Sequence, residues 1–306
     1  MKNRIHLLIL LITLLFNVNR VESQRTLPVD YPGELPDLRD LRCDGMKKIL
    51  REEIYKNKHW KKLVENKKMA IGVVDLANIN DVRFAGLNED HMIYAASLPK
   101  IAVLLAVMDA IDKEEVVETA EVKKDLHLMI SKSNNAAATR MIDLVGFEKI
   151  ESVLRDVNNR FYDEDCGGGL WCGKRYAKSG KRYPDPVAGL SHGATTSMVC
   201  SFYYKLFFGA LISKKRSAEM LQILKDPALH HKFVNTLQTI APNASIYRKS
   251  GSWKNFHADS VLVWGPERSY ILVALIDDPN GESIIRNLVV PLENVLKKSR
   301  SVRCNN

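Results

Sequence analysis

The sequence predicts an α/β plus all-α fold, in which a five-stranded antiparallel sheet is flanked by terminal helices and carries a helical insertion. Two runs of strand-like residues occur early in the chain and three more in its last third. The residues between them have helical spacing, apart from one long loop. The 306 residues are 46% hydrophobic and 26% charged, which is typical of a globular protein and disfavours disorder, collagen-like repeats and coiled coil.

The first 23 residues have the pattern of a secretory signal peptide. Lys2 and Arg4 precede an uncharged run over residues 7–16, which is too short for a bilayer that needs roughly 20 apolar residues. Val21 and Ser23 stand in an A-x-A-like arrangement before the expected cleavage site. The pattern predicts a secreted or periplasmic protein with no membrane partner after cleavage. An N-terminal anchor is the alternative interpretation.

The formal net charge of +9 raises the question of nucleic-acid binding. The basic residues are spread over a predicted surface helix, between Lys47 and Lys62, and over a loop from Lys174 to Arg182. The sequence contains no RNP, zinc-finger or helix-turn-helix pattern. We therefore expect a solvated basic surface and no nucleic-acid partner.

Five cysteines could form disulfides if the chain is exported. Cys43 and Cys304 lie near the two ends of the mature chain, which often meet in space, whereas Cys166 and Cys172 could close a small Gly-rich loop. Cys200 lies in an apolar helical pattern and is predicted to be a buried thiol. The sequence leaves the pairing open. The cysteine and histidine spacing predicts no metal site, and no cofactor is implied.

The predicted elements follow the order helix, two strands, several helices, three strands, helix. The predicted helices cover residues 46–65, 98–111, 122–130, 134–144, 147–157, 195–212 and 282–298, the last with a kink at Pro291. The predicted strands cover residues 69–76, 82–87, 245–250, 258–264 and 270–276.

This order predicts three regions after the signal peptide: an extended lead-in over residues 24–45, an α/β subdomain from residues 46–96 and 241–306, and an all-helical subdomain over residues 97–240. The loop at residues 158–193 is long for a compact domain, and such loops are usually functional. Pockets tend to form where two such layers meet. We therefore expect the functional site at the seam between the sheet and the helical insertion.

Ser97 and Lys100 form the first candidate pair of reactive residues. Positions three apart share a helix face, so the lysine amine can reach the serine hydroxyl. The hydroxyl becomes a nucleophile when a base takes its proton, and a buried neutral lysine can be that base. An unpaired lysine heading an apolar helix is costly, which favours a functional role for Lys100. The alternative is a lysine that snorkels to solvent from the helix end.

Ser133-Asn134-Asn135 is the second candidate motif. The hydroxyl of Ser133 could relay a proton to a leaving nitrogen, and the amide of Asn135 could hold a substrate carbonyl. Serine and asparagine are also the commonest residues at helix N-termini, so a simple helix cap is the alternative.

The third motif, Lys249-Ser250-Gly251, ends a predicted strand. The lysine could supply positive charge for a substrate carboxylate. Gly251 would let a substrate approach the backbone closely, and the N–H of Ser252 could be directed into the cleft. The alternative is an exposed lysine before a turn.

In this order the three motifs resemble the S-x-x-K, S-D-N and K-T-G signature of class A β-lactamases and penicillin-binding serine hydrolases. The resemblance covers residues 46–298, and flanking sequence at residues 129–130, 136–138 and 193–196 also matches. It implies a β-lactamase/transpeptidase-like fold. It also implies a role for each matching residue: Ser97 as the acylated nucleophile, Lys100 as its base, Ser133 as the proton shuttle, Asn135 as a carbonyl contact, Lys249 and Ser250 as carboxylate anchors, and the N–H groups of Ser97 and Ser252 as the oxyanion hole.

The sequence departs from the class A pattern at the residue that would activate the deacylating water. Class A enzymes carry a glutamate for this step within an E-x-x-L-N pattern, which the long loop lacks. Glu164 is a candidate replacement by loop position only, as are its acidic neighbours and Asp185, and His192 is a further candidate base. In addition, Asn134 replaces the aspartate of the triplet, and the segment over residues 100–133 is shorter than usual.

The resemblance implies a secreted hydrolase that is acylated by β-lactam amides and hydrolyses them. Deacylation would be slowed roughly 10²–10⁴-fold if its general base were missing. The alternatives are a D-Ala-D-Ala peptidase or transpeptidase and a non-hydrolytic penicillin- or peptidoglycan-binding protein. The expected partner in each case is a small-molecule β-lactam or a cell-wall peptide, and we expect a monomer.

Overall fold

The structure is a computed structural model, and it describes residues 26–265 and 267–304. The predicted signal peptide lies outside these residues. In the described ranges, no helix is long and apolar enough to cross a membrane.

Nine α-helices occur within the described residues, together with two short 3₁₀ turns at Leu38–Leu41 and Glu164–Cys166. In chain order the helices are α1 (Asp44–Tyr55), α2 (Lys58–Glu65), α3 (Lys100–Asp112), α4 (Ala120–Ser131), α5 (Asn135–Arg155), α6 (Thr196–Phe207), α7 (Lys214–Leu224), α8 (Phe233–Ile240) and α9 (Gly281–Ser299).

The strands fall into one large sheet and two small ones. In chain order they are β1 (Met69–Asp75), β2 (Arg83–Leu87), β3 (Ile93–Tyr94), β4 (Tyr162–Asp163), β5 (Gly168–Gly169), β6 (Trp171–Cys172), β7 (His192–Ala194), β8 (Ser245–Trp253), β9 (Phe256–Gly265) and β10 (Arg268–Asp277).

The predicted five-stranded antiparallel sheet is confirmed. Its strand order is β2-β1-β10-β9-β8, so it is built from both ends of the chain. This order leaves β8 at one edge, beside the helical part of the molecule, where Tyr247 forms an isolated antiparallel bridge with Lys225. The division into subdomains at residues 96 and 240 stays a prediction.

The sheet separates two hydrophobic cores because side chains alternate between its faces. In the central strand β10, Leu272, Ala274 and Ile276 join the core under the terminal helices α1, α2, α8 and α9. Their neighbours Ile271, Val273 and Leu275 join the larger core formed with the helices α3 to α7. At roughly 25 cal/mol per Å² of buried apolar surface, both cores contribute strongly to folding.

Two element predictions needed correction. The single helix predicted over residues 46–65 is two helices, because the Oδ1 of Asn57 accepts hydrogen bonds from the N–H groups of His59 and Trp60 and starts a new one. The loop over residues 158–193 contains the short strands β4 to β6 and the start of β7, because pairing satisfies its backbone groups where it is buried.

A disulfide joins Cys43 and Cys304, and so links the start of α1 to the segment after α9. Cys166, Cys172 and Cys200 are unpaired. The small loop that Cys166 and Cys172 could close is not formed, because β5 and β6 between them pair with different partners and keep the chain extended. Cys200 is a buried thiol, as predicted.

We predict that Cys43→Ser lowers the free energy of unfolding by about 2–4 kcal/mol, since the disulfide closes most of the chain into one loop. Urea denaturation of the oxidised protein measures this. Cys166→Ser is the matched control, because that thiol is unpaired, and it should stay within about 0.5 kcal/mol of the parent. Equal losses in the two variants would contradict a stabilising role for the disulfide.

Candidate active site

Ser97 lies in the turn that joins β3 to α3. The turn is anchored because β3 pairs with β7 and the N–H of Ala95 donates to the carbonyl of His192, at 2.8 Å. Ala96 has a left-handed backbone with φ +51°, a strained conformation for a residue with a side chain. Ser97 itself is half-buried, and within the described residues neither its hydroxyl nor its N–H has a hydrogen-bond partner. Both groups are therefore available to a substrate.

Lys100 is fully buried at the first position of α3. Its Nζ donates to the carbonyl of Ser133 and to the Oδ1 of Asn135, each at 2.7 Å, and lies 3.4 Å from the Oγ of Ser133. The snorkelling alternative is therefore wrong. Burial lowers the pKa of Lys100 to about 7, because desolvation disfavours the charged amine. A large share of the molecules thus carries an uncharged amine at neutral pH.

The second motif forms the connection between α4 and α5. Asn134 is the helix cap, and its Oδ1 accepts from the N–H of Ala137 at 2.8 Å. The capping alternative therefore holds for one residue of the triplet. Ser133, at φ +54°, and Asn135 instead direct their side-chain oxygens towards Lys100.

Lys249 reaches the same hydroxyl from the edge strand β8. Its Nζ donates to the Oγ of Ser133 at 2.9 Å and to the carbonyl of Ser250 at 2.8 Å. The side chain is buried rather than exposed at a strand end. Burial lowers the pKa of Lys249 well below its ordinary value, and the nearby charge of Lys100 lowers it further.

Gly251 brings β8 against the turn that carries the serine. A Cβ at this position would lie 2.2 Å from the carbonyl oxygen of Ala95 and 2.6 Å from the backbone nitrogen of Ser97. Only glycine fits this approach. Ser250 is buried beside it, and the next residue, Ser252, is exposed.

The sequence predictions missed a buried cation behind this strand. Lys232 donates to the carbonyl of Gly251 at 2.5 Å, to the Oγ of Ser252 at 2.8 Å and to the carbonyl of Ala258 at 3.0 Å. Burial lowers the pKa of Lys232 to about 8. In the sequence, the only indication was that Lys232 precedes a short apolar run. The spacing of the residues did not indicate which groups Lys232 contacts.

A buried ion pair fixes the segment that contains Lys232. The Nε of Arg248 donates to the Oδ1 of Asp259 at 2.7 Å, and its Nη1 donates to the carbonyl of Leu229 at 2.7 Å. The other oxygen of Asp259 accepts from the N–H of Phe233, at 3.1 Å. This pair therefore ties β8, β9 and the start of α8 together next to the site.

The candidate bases in the long loop make their contacts elsewhere. The Oε1 of Glu164 accepts from Arg155 at 2.8 Å on a half-exposed surface, and none of its contacts involves Lys100 or Ser133. Asp185 accepts hydrogen bonds from the hydroxyl of Tyr162 and from three backbone N–H groups of its own loop, which occupies its oxygens.

His192 is the remaining candidate base of the loop. Its Nε2 lies 3.0 Å from the carbonyl of Lys174, and burial lowers its pKa to about 4. The imidazole is therefore neutral near pH 7, and its Nε2 proton is held by the backbone.

An aromatic ring takes up the space over the buried lysine. The ring of Tyr176 is centred 4.4 Å from the Nζ of Lys100, and its hydroxyl donates to the carbonyl of Ala96 at 3.2 Å. In the sequence, Tyr176 is a single aromatic residue within the basic loop from Lys174 to Arg182, and nothing there indicates its contact with Lys100. Among the described residues, no cluster of side chains is suited to hold a metal ion.

The family comparison agrees with this geometry. The sequence model of the Beta-lactamase enzyme family matches residues 116–290, more than half of the chain. The chain belongs to this family. The match includes Ser133, Asn135 and Lys249, whereas Ser97 and Lys100 lie before it. No curated protein matches the chain in sequence.

Solved structures show the same fold at low sequence identity. A β-lactamase from Sphaerobacter thermophilus is 17% identical, with a TM-score of 0.59 over 84% of this chain and 97% of that one. A variant of the class A β-lactamase of the last common ancestor of Gram-negative bacteria is 15% identical, with a TM-score of 0.61 over 82% and 99%. PBP-A is 16% identical, with a TM-score of 0.61 over 88% and 99%. The predicted β-lactamase/transpeptidase-like fold is thus confirmed.

We predict that Gly251→Ala lowers the free energy of unfolding by about 1–3 kcal/mol, because the added methyl group would overlap backbone atoms of the Ser97 turn. Thermal and urea unfolding measure the change. Gly189→Ala is the control: it has a left-handed φ of +66° but no atom near the added methyl group, so it should cost only about 1 kcal/mol. A Gly251→Ala protein no less stable than this control would argue against the close approach.

Proposed function

We propose that the protein is a secreted active-site serine hydrolase of class A β-lactamase type, acylated on Ser97 by β-lactam amides and slow to deacylate. One observation carries this proposal: the hydroxyl of Ser133 lies between the amines of Lys100 and Lys249, at 3.4 and 2.9 Å, and Lys100 follows Ser97 by three residues. Two buried amines on one hydroxyl form a path for protons. Two lysines with only a structural role would not need a hydroxyl group between their amines that a substrate can reach.

In the acylation step, the Oγ of Ser97 attacks the amide carbonyl carbon while the uncharged amine of Lys100 takes its proton. The carbonyl π electrons move to oxygen as the new C–O bond forms. The oxyanion then re-forms the carbonyl, and the C–N bond breaks with its electron pair on nitrogen. Ser133 delivers its proton to that nitrogen and takes up the proton that Lys100 removed from Ser97, which restores both groups. The pKa of about 7 supports this role for Lys100, since a base works best near the ambient pH.

The oxyanion of the tetrahedral intermediate would accept from the N–H groups of Ser97 and Ser252. Two features support this assignment: the unpartnered N–H of Ser97 in the described structure, and the close approach of Gly251 to the Ser97 turn. One such donor is typically worth about 3–4 kcal/mol of transition-state stabilisation.

Asn135 would contact a substrate carbonyl, and Lys249 and Ser250 would hold the substrate carboxylate. An incoming carboxylate favours the charged form of Lys249, which counteracts the effect of burial on its pKa. Binding of an anionic substrate would therefore stabilise the ammonium form of Lys249, which burial disfavours in the empty site.

Hydrolysis of the acyl-enzyme lacks an evident base. Glu164 is engaged by Arg155, and the ring of Tyr176 lies against Lys100. We therefore give Glu164 no role in hydrolysis. Loss of a general base typically costs a factor of roughly 10²–10⁴, which predicts an acyl-enzyme that persists.

This feature also supports a second candidate function, a penicillin-binding protein related to D-Ala-D-Ala peptidases or a non-hydrolytic peptidoglycan sensor. A mutant of PBP-A, 17% identical to this chain, has been solved as an acyl-enzyme complex with penicillin G. Secretion is supported by the N-terminal pattern and by the Cys43–Cys304 disulfide, which is typical of oxidising compartments.

We predict that benzylpenicillin adds its full mass to the protein as a stable adduct on Ser97, with one lactam ring opened per protein molecule and hydrolysis of the adduct far slower than acylation. Intact-mass spectrometry over time, with parallel absorbance of the lactam ring, measures both steps. Ser97→Ala should form no adduct, and Ser191→Ala, in the loop, is the control that should react like the parent. Rapid turnover would contradict slow deacylation, and an adduct on the Ser97→Ala protein would overturn the nucleophile assignment.

We also predict that the rate of acylation rises with pH and is half-maximal near pH 7, because Lys100 must lose its proton to act as a base. Below that pH the protonated fraction grows and the rate should fall about tenfold per pH unit. Quenched-flow mass spectrometry between pH 5.5 and 9 at fixed ionic strength gives the profile. A rate independent of pH over this range would exclude Lys100 as the base.

A further inference from the structure

Tyr176 contacts both Lys100 and the turn that carries Ser97, although it belongs to the irregular part of the long loop. Its ring faces the Nζ of Lys100, with 4.4 Å between that atom and the ring centre. Its hydroxyl donates to the carbonyl of Ala96, the strained residue directly before Ser97, at 3.2 Å. One side chain thus touches the base and the turn that carries the nucleophile.

The ring is itself held in place by the small sheet beside the site. It packs against the imidazole of His192 with 4.4 Å between ring centres, and the buried thiol of Cys172 lies next to the tyrosine hydroxyl. His192 and Cys172 are paired residues of β7 and β6. The ring therefore cannot rotate away from Lys100 without disturbing this sheet.

We propose that Tyr176 is a positioning residue for acylation: its ring holds the amine of Lys100 against Ser133 and Asn135, and its hydroxyl holds the turn of Ser97. The inference rests on the proposed function, because it concerns the same serine and lysine. It adds a component that the three sequence motifs do not contain.

The ring acts on the charge of Lys100 as well as on its position. The face of an aromatic ring is negative, so it stabilises the ammonium form. The other titratable groups facing this amine are Lys249 from β8, Cys172 from β6 and His192 from β7. Burial opposes protonation of Lys100, and the ring counteracts this effect without adding a carboxylate.

The test compares Tyr176→Leu, which removes the ring and keeps an apolar side chain, with Tyr176→Phe, which removes only the hydroxyl. Tyr183→Leu is the matched control, because this tyrosine lies in the same loop but packs on Phe147. The titration of Lys100 is followed by NMR of labelled lysine side chains, assigned with Lys100→Met. Acylation by benzylpenicillin is followed by intact mass across the same pH range, and thermal unfolding confirms that each variant is folded.

We expect Tyr176→Leu to move the titration of Lys100, and the midpoint of acylation, about half to one pH unit lower. Tyr176→Phe should keep both midpoints and slow acylation about two- to tenfold through loss of the bond to Ala96. Tyr183→Leu should change neither. If Tyr176→Phe has the midpoint of the parent and Tyr176→Leu does not, the shift comes from loss of the ring and not from a general loss of structure.

The outcomes distinguish this inference from the proposed function. An unchanged Lys100 titration in folded Tyr176→Leu overturns the inference, whether or not acylation occurs. If the titration moves as expected but no variant, parent included, forms an adduct, the role of the ring towards Lys100 stands and the proposed acylation fails.

Discussion

The burial of two lysine amines around one serine hydroxyl is the constraint on which the site depends. Lys100 and Lys249 both contact the Oγ of Ser133, and both are removed from solvent. Two ammonium groups in this position repel each other, and desolvation penalises each of them. The arrangement is favourable only if at least one amine is uncharged. A lysine that is uncharged at neutral pH can act as a base, which is the role proposed for Lys100.

The fold must therefore hold this unfavourable arrangement in place. The edge strand β8 is fixed by its pairing with β9 and by the buried Arg248–Asp259 ion pair behind it. Helix α3 is fixed because all but the last of its residues are buried in the larger core. Removing one partner of a buried ion pair typically costs about 3–5 kcal/mol because it leaves an uncompensated charge, so loss of Arg248 or Asp259 would disturb the strand that carries Lys249. Strained or destabilised sites of this kind are usually supported by well-packed surroundings.

Periodicity was sufficient to predict the five-stranded antiparallel sheet. The order of the motifs predicted one site from Ser97, Lys100, Ser133 and Lys249; Lys100 and Lys249 do contact Ser133, and the part of Ser97 stays a prediction. The break at Asn57 was missed because a side-chain cap interrupts a pattern that stays amphipathic on both sides. Lys232 and Tyr176 were missed for a different reason. Their partners are distant backbone carbonyls and a distant amine, and no spacing along the chain encodes such contacts. The same limitation led to Glu164, which was chosen by loop position and is instead paired with Arg155.

The two halves of the proposed reaction depend on different parts of the molecule. The groups proposed for acylation come from the turn before α3, the start of α3, the α4–α5 connection and β8, all within or directly beside regular elements that pack in the two cores. Any group for deacylation would have to come from the long loop, whose conformation rests on local pairs such as Tyr162–Asp185 and on short strands. A loop of this kind can exchange a carboxylate for an aromatic ring without changing the fold. A ring over Lys100 still supports the proposed acylation, since it holds the amine and the turn that carries Ser97. It cannot replace the carboxylate in deacylation, because it cannot take a proton from water. The family fold is therefore compatible with a protein that retains its acyl group, and under the proposed function the loop would decide between retention and turnover.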